Sequence, residues 1–239
     1  MDTSTHHEET KTRPGLVTTG VVMVSLLVIG ALFSEYQSRA AAQQAEEEQS
    51  RAEALVALEV ARLGDGLELL ATGFADEVEP DIDDFERAAR AMMRTQPGAR
   101  KLRWVPHVRG ADRQTYSEAA QADEPGFRIW QNDEAGEPVS ATMRFHYFPE
   151  RWAWPAPSNG VPLGFDMGVN ESVRTALLDA MVAGDALALG SDYAEDRLVI
   201  VQPVYVGGVP DDEGERRAKL RGFLIGEYHR GAFEPVASL

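Results

Sequence analysis

Apolar and polar positions divide this chain into a membrane-like run, a long helical stretch and a series of short strands and helices. From Leu16 to Phe33 the sequence reads LVTTGVVMVSLLVIGALF, without a charge. About eighteen such residues in a helix cross most of a roughly 30 Å hydrocarbon core. The run is apolar around its whole circumference, which at this length argues for a span over a core helix. Thr18, Thr19 and Ser25 can return their hydroxyls to the helix backbone. A cleaved signal peptide is the rival reading. Against it, the run exceeds a typical signal core, Ala31-Leu32-Phe33 is a poor cleavage site, and Ala40-Ala41-Ala42 comes late. The expectation is an uncleaved anchor over 16–33, after a polar, disordered tail over 1–15. Lys11 and Arg13 precede the run, and Glu35 and Arg39 follow it. That bias places the tail in the cytoplasm and 34–239 outside.

No proline occurs between Glu35 and Val78, and Ala40 to Arg62 is rich in helix formers. Leu55, Leu58, Leu63, Leu67, Leu70 and Phe74 mark an approximate helical stripe. The segment 34–79 is therefore expected to be a stalk helix, with Gly64, Gly66 and Gly73 as candidate break points. The stripe has two readings: packing on its own domain, or a seam with a second chain. After Pro80, Asp83 or Asp84 is expected to cap a helix from Phe85 to about Arg94. A strand is expected at Leu102–Val105, a helix at Asp112–Ala122, a strand at Phe127–Trp130, and a hairpin-type loop at Asn132–Val139. A strand at Thr142–Phe148 leads into a Pro- and Trp-rich loop, Pro149–Pro162, and a further strand covers Leu163–Met167. Asn170 is expected to cap a helix reaching Ala183, with Gly184 as its stop. Strands at Leu198–Val206 and Gly222–Gly226 flank a charged loop, Gly208–Ala218. Strands joined by hairpin-type loops and interleaved with helices predict an α+β fold with antiparallel sheets.

Charge and chemistry narrow the function classes. A net charge of −16 at pH 7 disfavours nucleic acid and anionic lipid as partners. There are no cysteines, so the exterior part must hold together without disulfides. No Gly-rich phosphate loop and no GxSxG elbow occurs, and His6, His7, His107, His146 and His229 form no HxxxH or HExxH pair. The last three histidines read as packing or surface residues. No metal or cofactor is expected, and no catalytic residue is assigned.

Four blocks then carry a resemblance. The first is Pro97-Gly98-Ala99-Arg100-Lys101-Leu102-Arg103-Trp104-Val105-Pro106-His107-Val108, and the second Tyr147-Phe148-Pro149. The third is Leu163-Gly164-Phe165-Asp166-Met167, and the fourth Pro203-Val204-Tyr205, with Arg221-Gly222-Phe223 downstream. In order and spacing over roughly 50–239 they resemble the CHASE domain. That domain is the extracellular sensory module of bacterial histidine kinases and diguanylate cyclases and of plant cytokinin receptors. The resemblance implies two PAS-like subdomains after the stalk. They are placed at 80–190, membrane-distal and ligand-binding, and at 191–239, membrane-proximal. It also implies stalk helices that dimerise.

The ligand-binding residues expected are Trp104, Phe145, Tyr147, Trp152, Trp154, Leu163, Phe165, Asp166 and Leu189. Aromatics around a proline-rich loop suit an apolar pocket, and filling a core is the equal alternative for each. Asp166 reads either as a hydrogen-bonding residue at a strand end or as a ligand contact. The plant receptors carry an acidic residue where Phe145 stands and a small hydroxyl residue where Leu189 falls. A cytokinin is therefore not the expected ligand. The overall expectation is an anchored, single-pass, extracytoplasmic small-ligand sensor, homodimeric through its stalk and without catalysis of its own. No second apolar span follows, which suggests either a truncated product or a fragment of a longer protein, and the resemblance implies a kinase or cyclase output beyond Leu239. The alternative is an anchored dimeric scaffold without a small ligand.

Overall fold

The computed structural model describes residues 46, 49–51, 54, 55, 57–75, 81–157, 162–189 and 196–232. The expected tail and anchor lie outside them. Among the described residues no helix is long and apolar enough to cross a membrane. The chain divides into two compact units, Met1–Glu53 and Ala54–Leu239. In the first, the described residues 46 and 49–51 are helical. The second carries the fold, an α+β arrangement whose strands all pair antiparallel.

Helix α1 covers 57–73. The leucine stripe splits along it. Leu63, Leu67, Ala71 and Phe74 are buried against the chain's own sheet, whereas Leu55 and Leu58 are exposed. Gly64 and Gly66 lie inside this helix without ending it. Gly66 is there for close approach: a Cβ on it would sit 2.1 Å from Gln96 Nε2. Gln96 is the C-cap of α2 (Ile82–Thr95), and its Oε1 accepts from Tyr228 OH at 2.6 Å. The N-cap of α2 is Asp81, not Asp83 or Asp84. Its carboxylate accepts from Asp83 N at 2.7 Å, and the two later acids sit in the first turn, where they complement the helix dipole.

The main sheet has the order β6-β1-β9-β8-β7. Its strands are β1 (Ala99–Pro106), β6 (Trp152–Trp154), β7 (Leu187–Leu189), β8 (Arg197–Tyr205) and β9 (Leu220–His229). One face carries Leu102, Trp104, Ile200, Leu224 and Tyr228 under α1 and α2. The other carries Val105, Val199, Val201, Phe223 and Ile225 under α4 (Glu171–Ala183). Asn170 and Gly184 cap α4 as expected, Asn170 through Oδ1 to Val173 N and Gly184 in the left-handed conformation.

Between β1 and β6 the chain leaves the sheet and builds a satellite. It contains β2 (Val108–Arg109) paired with β5 (His146–Tyr147), α3 (Arg113–Ala120), and the hairpin β3 (Trp130–Asn132) and β4 (Pro138–Ser140). Its small core is Val108, Ala120, Phe127, Ile129, Ala141 and Tyr147.

Several expected elements change. The strand over Leu163–Met167 is reduced to isolated bridges, Trp130↔Phe165 and Pro149↔Asp166, before a 3-10 turn at Met167–Val169. The strand over Thr142–Phe148 shrinks to β5. The Trp-rich loop contains β6. The charged loop contains α5 (Glu213–Lys219), capped by Asp212 and carrying Glu213–Arg217 and Glu215–Lys219 pairs one turn apart. A division at 190 does not follow the sheet, because β7 precedes that point and pairs with β8 beyond it. Among the described residues there is one five-stranded sheet, and the two two-stranded sheets lie in the satellite.

The burial of α1 sets a stability contrast. Leu67 is fully buried and Leu69 is 76% exposed. Leu67→Ala is expected to cost about 2–5 kcal/mol and Leu69→Ala less than about 0.5 kcal/mol, read from urea unfolding followed by tryptophan fluorescence.

Candidate functional site

The strand register dictates which side chains share a face. Arg103 stands opposite Ile225, and Lys101 opposite Glu227. Glu227 in turn stands opposite Val199, and Val199 opposite Leu189. Because side chains alternate along a strand, Lys101, Arg103 and Glu227 emerge on the α4 face, beyond its apolar cluster. Arg103 binds Glu150 through Nε and Glu227 through Nη1. Arg197 Nη1 donates to Glu227 at 3.3 Å, and Lys101 Nζ lies 3.9 Å from Glu150. Three cations thus meet two carboxylates in a row whose centre, Arg103 and Glu227, is buried and whose end, Arg197, is exposed. Burial, followed by the neighbouring Arg103, holds the Lys101 ammonium below its ordinary range, while Glu227 above all raises Arg197. A buried ion pair is weak evidence for stability in itself, and a strongly perturbed charged group can equally mark a functional site.

The nine expected ligand residues do not form one site. Trp104, Trp152 and Trp154 lie on the opposite face of the sheet, in register with one another and under α1 and α2. Phe85 packs on Trp152 at 5.8 Å, and the Arg90 guanidinium covers Trp154 at 4.4 Å. The Trp104 indole N–H is buried without a hydrogen-bond partner among the described residues. Phe165 and Leu189 belong to the α4 face, with Leu189 on the same cross-strand line as Glu227. Tyr147 and Leu163 belong to the satellite core. Phe145 is 89% exposed. None of the nine lines any of three clefts bordered by described residues, of about 230, 310 and 210 Å³.

Asp166 ties the resemblance blocks together. It is fully buried. Oδ1 accepts from Phe148 N at 2.9 Å and Gly168 N at 3.0 Å, and Oδ2 accepts from Arg144 Nη1 at 2.8 Å. Burial raises its carboxyl above the ordinary range despite these donors. Gly164 stands two residues earlier at φ +96°, where a Cβ would lie 2.1 Å from the Arg128 carbonyl oxygen. Tyr147 OH donates to Thr142 O and accepts from Arg144 N, both at 2.9 Å. The Gly-Phe-Asp and Tyr-x-Pro blocks therefore interlock through hydrogen bonds, and the geometry agrees with the hydrogen-bonding reading of Asp166.

A second polar cluster lies where the satellite meets β9. His107 Nε2 and His146 Nδ1 are 2.8 Å apart, with rings stacked at 5.0 Å. Burial, then His146, then Arg109 push His107 down to about 4. Burial and Arg217 also lower His146.

The sequence reading missed both clusters. Lys101 and Arg103 alternate with Leu102 and Trp104 as solvent-facing residues of a half-buried strand would. The available signal was Glu227, a lone acid after Gly222-Phe223-Leu224-Ile225-Gly226 in an apolar strand.

The spacing of these blocks is that of a known domain, and the CHASE domain profile matches residues 79–233. The chain belongs to the CHASE domain family. No curated protein matches it significantly in sequence. A CHASE domain is the sensory, non-catalytic, extracellular part of a membrane signalling receptor. The Asp166 knot lies wholly within the matched CHASE segment, as do both polar clusters.

Two outcomes test this geometry. Asp166→Ala takes one acceptor from the partly buried Arg144 and leaves two backbone donors without theirs, and is expected to cost about 2–4 kcal/mol. Asp166→Asn retains one acceptor oxygen and is expected to cost less, compared by unfolding midpoint. The His107 value, lowered from 6.5, means that the unfolded chain takes up this proton first. The resulting penalty is absent above pH 6.5 and complete below about 4, and reaches at most about 3 kcal/mol. His107→Asn should flatten the loss of stability across that window, measured by urea titrations at successive pH values.

Proposed function

We propose that this chain is the extracytoplasmic small-ligand sensor of a single-pass membrane receptor, with a histidine kinase or diguanylate cyclase type of output. The ligand site in this reading is the row of Lys101, Arg103, Glu150, Glu227 and Arg197, bordered by Phe165 and Leu189. A ligand there places a polar head on the row and an apolar body toward the two bordering residues, as small-molecule sites commonly require. The Phe145 and Leu189 positions keep a cytokinin out of this proposal.

The observation that carries the reading is that strands β1, β8 and β9 have two different faces. One bears the charged row, and the other packs directly on α1 through Leu63, Leu67 and Phe74. A ligand that re-pairs the row moves strands against which the helix leading toward the membrane is packed. It shifts the receptor only by its difference in affinity for the two arrangements. Dimerisation through the stalk rests on Leu55 and Leu58, the part of the stripe that is left exposed. The same two leucines favour a second reading, an anchored scaffold in which pairing is the whole function.

A thermal-shift panel on the full chain in detergent separates the two. The panel covers amino acids, organic and aromatic acids, purines and short peptides. A ligand at about 100 times its Kd adds roughly 2.7 kcal/mol, several degrees in Tm. The expected result is a concentration-dependent shift that disappears in Lys101→Met while the Tm of the free chain is kept. A flat panel, or a shift that survives in Lys101→Met, defeats the site and favours the scaffold.

A further inference from the structure

A cavity of about 310 Å³ opens beside the histidine pair, lined by His107, Arg109, Asp112, Tyr116 and Arg217 among others. Its charge runs against that of the protein. The chain carries 39 acidic and 23 basic residues, yet two arginines face a single aspartate here. The arginines come from separate parts of the fold, Arg109 from β2 of the satellite and Arg217 from α5.

Neither arginine is fully engaged. Arg109 meets Asp112 through Nε at 2.7 Å, and its two terminal nitrogens have no hydrogen-bond partner among the described residues. Arg217 meets Glu213 through Nε and Nη2, at 3.0 and 2.7 Å, leaving Nη1 in the same condition. Both carboxylate partners are neighbours on the arginines' own segment, and both pairs are exposed. Such pairs contribute little and exchange readily with another acceptor. A planar guanidinium offers two parallel donors to an oxyanion, which a lysine cannot.

The histidines add a conditional charge. His107 faces His146 on β5, Arg109 on β2, Asp112 and Tyr116 at the start and middle of the α3 region, and Arg217 on α5. Burial above all, and then the neighbouring arginines, keep the free pair neutral at neutral pH. A bound anion reverses that balance and favours a proton on the pair. A cation does not suit the place. Among the described residues no group of three His, Cys, Asp or Glu side chains could hold a metal ion.

We propose that this cleft is a second ligand site, separate from the sheet-face row, which takes a small doubly charged oxyanion between Arg109 and Arg217 with proton uptake by His107–His146. The occupant is a dicarboxylate or a phosphoryl-type group, and it links the satellite to α5. The cleft shares no residue with the row on the sheet face. The two readings therefore fail on different variants: Lys101→Met reports on the first, Arg109→Gln/Arg217→Gln on the second.

Isothermal titration of the full chain in detergent, with succinate and with sulfate, tests the site. Saturable binding of at least one anion is expected. The double variant should weaken it by roughly tenfold or more, while Arg87→Gln on the exposed face of α2 controls for surface charge. Succinate binding more tightly points to a dicarboxylate, and sulfate to a phosphoryl-type group. Sulfate keeps its charge between pH 7.5 and pH 5.5, so tighter sulfate binding at pH 5.5 is the signature of the histidines. Absence of saturable binding by either anion, or equal affinity in the double variant, overturns the site. Equal sulfate affinity at both pH values overturns the part given to His107–His146.

Discussion

The pairing of β9 with β1 on one side and β8 on the other is the constraint on which this domain rests. Arg103 opposite Ile225 and Val201 opposite Ile225 put every charged residue of the row on one side, and Trp104, Leu224 and Tyr228 on the other. A slip of one residue in β9 would exchange its faces. Glu227 would then enter the core beneath α1, and Tyr228 would leave Gln96. The apolar alternation and the ion pairs therefore specify the same register independently. Removing Arg103 would leave the buried Glu227 with only the exposed Arg197 as its ion-pair partner among the described residues.

The long alternating strands and the capped helices were legible in the sequence because their signals are local. Asn170, Gly184 and the apolar pattern of β8 each act within a few residues. The satellite was not legible to the same degree. Its strands are two or three residues long, and Phe165 and Asp166 join their neighbours through single bridges. Such contacts are decided by the Asp166 knot and by Gly164, not by propensity. Asp81 displaced Asp83 as the cap because three acids follow one another closely, and only the geometry of the first turn separates them. The resemblance blocks gave the family correctly. Their aromatic residues were less informative about a site, since Trp104, Trp152 and Trp154 fill the face under α1 and α2.

The separation of roles between the two faces follows from composition along each strand. Apolar residues alone would have made β1, β8 and β9 a sheet buried alike on both sides. Interrupting one face with Lys101, Arg103, Arg197 and Glu227 gives that side polar groups that can be re-paired. The other side is left as continuous packing with α1.

The contact between Gly66 and Gln96 limits how α1 can move. Any side chain at position 66 would have to displace the Gln96 amide, since even a methyl group there would lie 2.1 Å from its nitrogen. Gln96 is in turn held by Tyr228 from β9. The close approach of α1 to the C-cap of α2 and the bond from β9 therefore meet at one amide side chain. A change in where the sheet holds Gln96 is felt at the backbone of α1, and Gly66 is the position that keeps the two in touch.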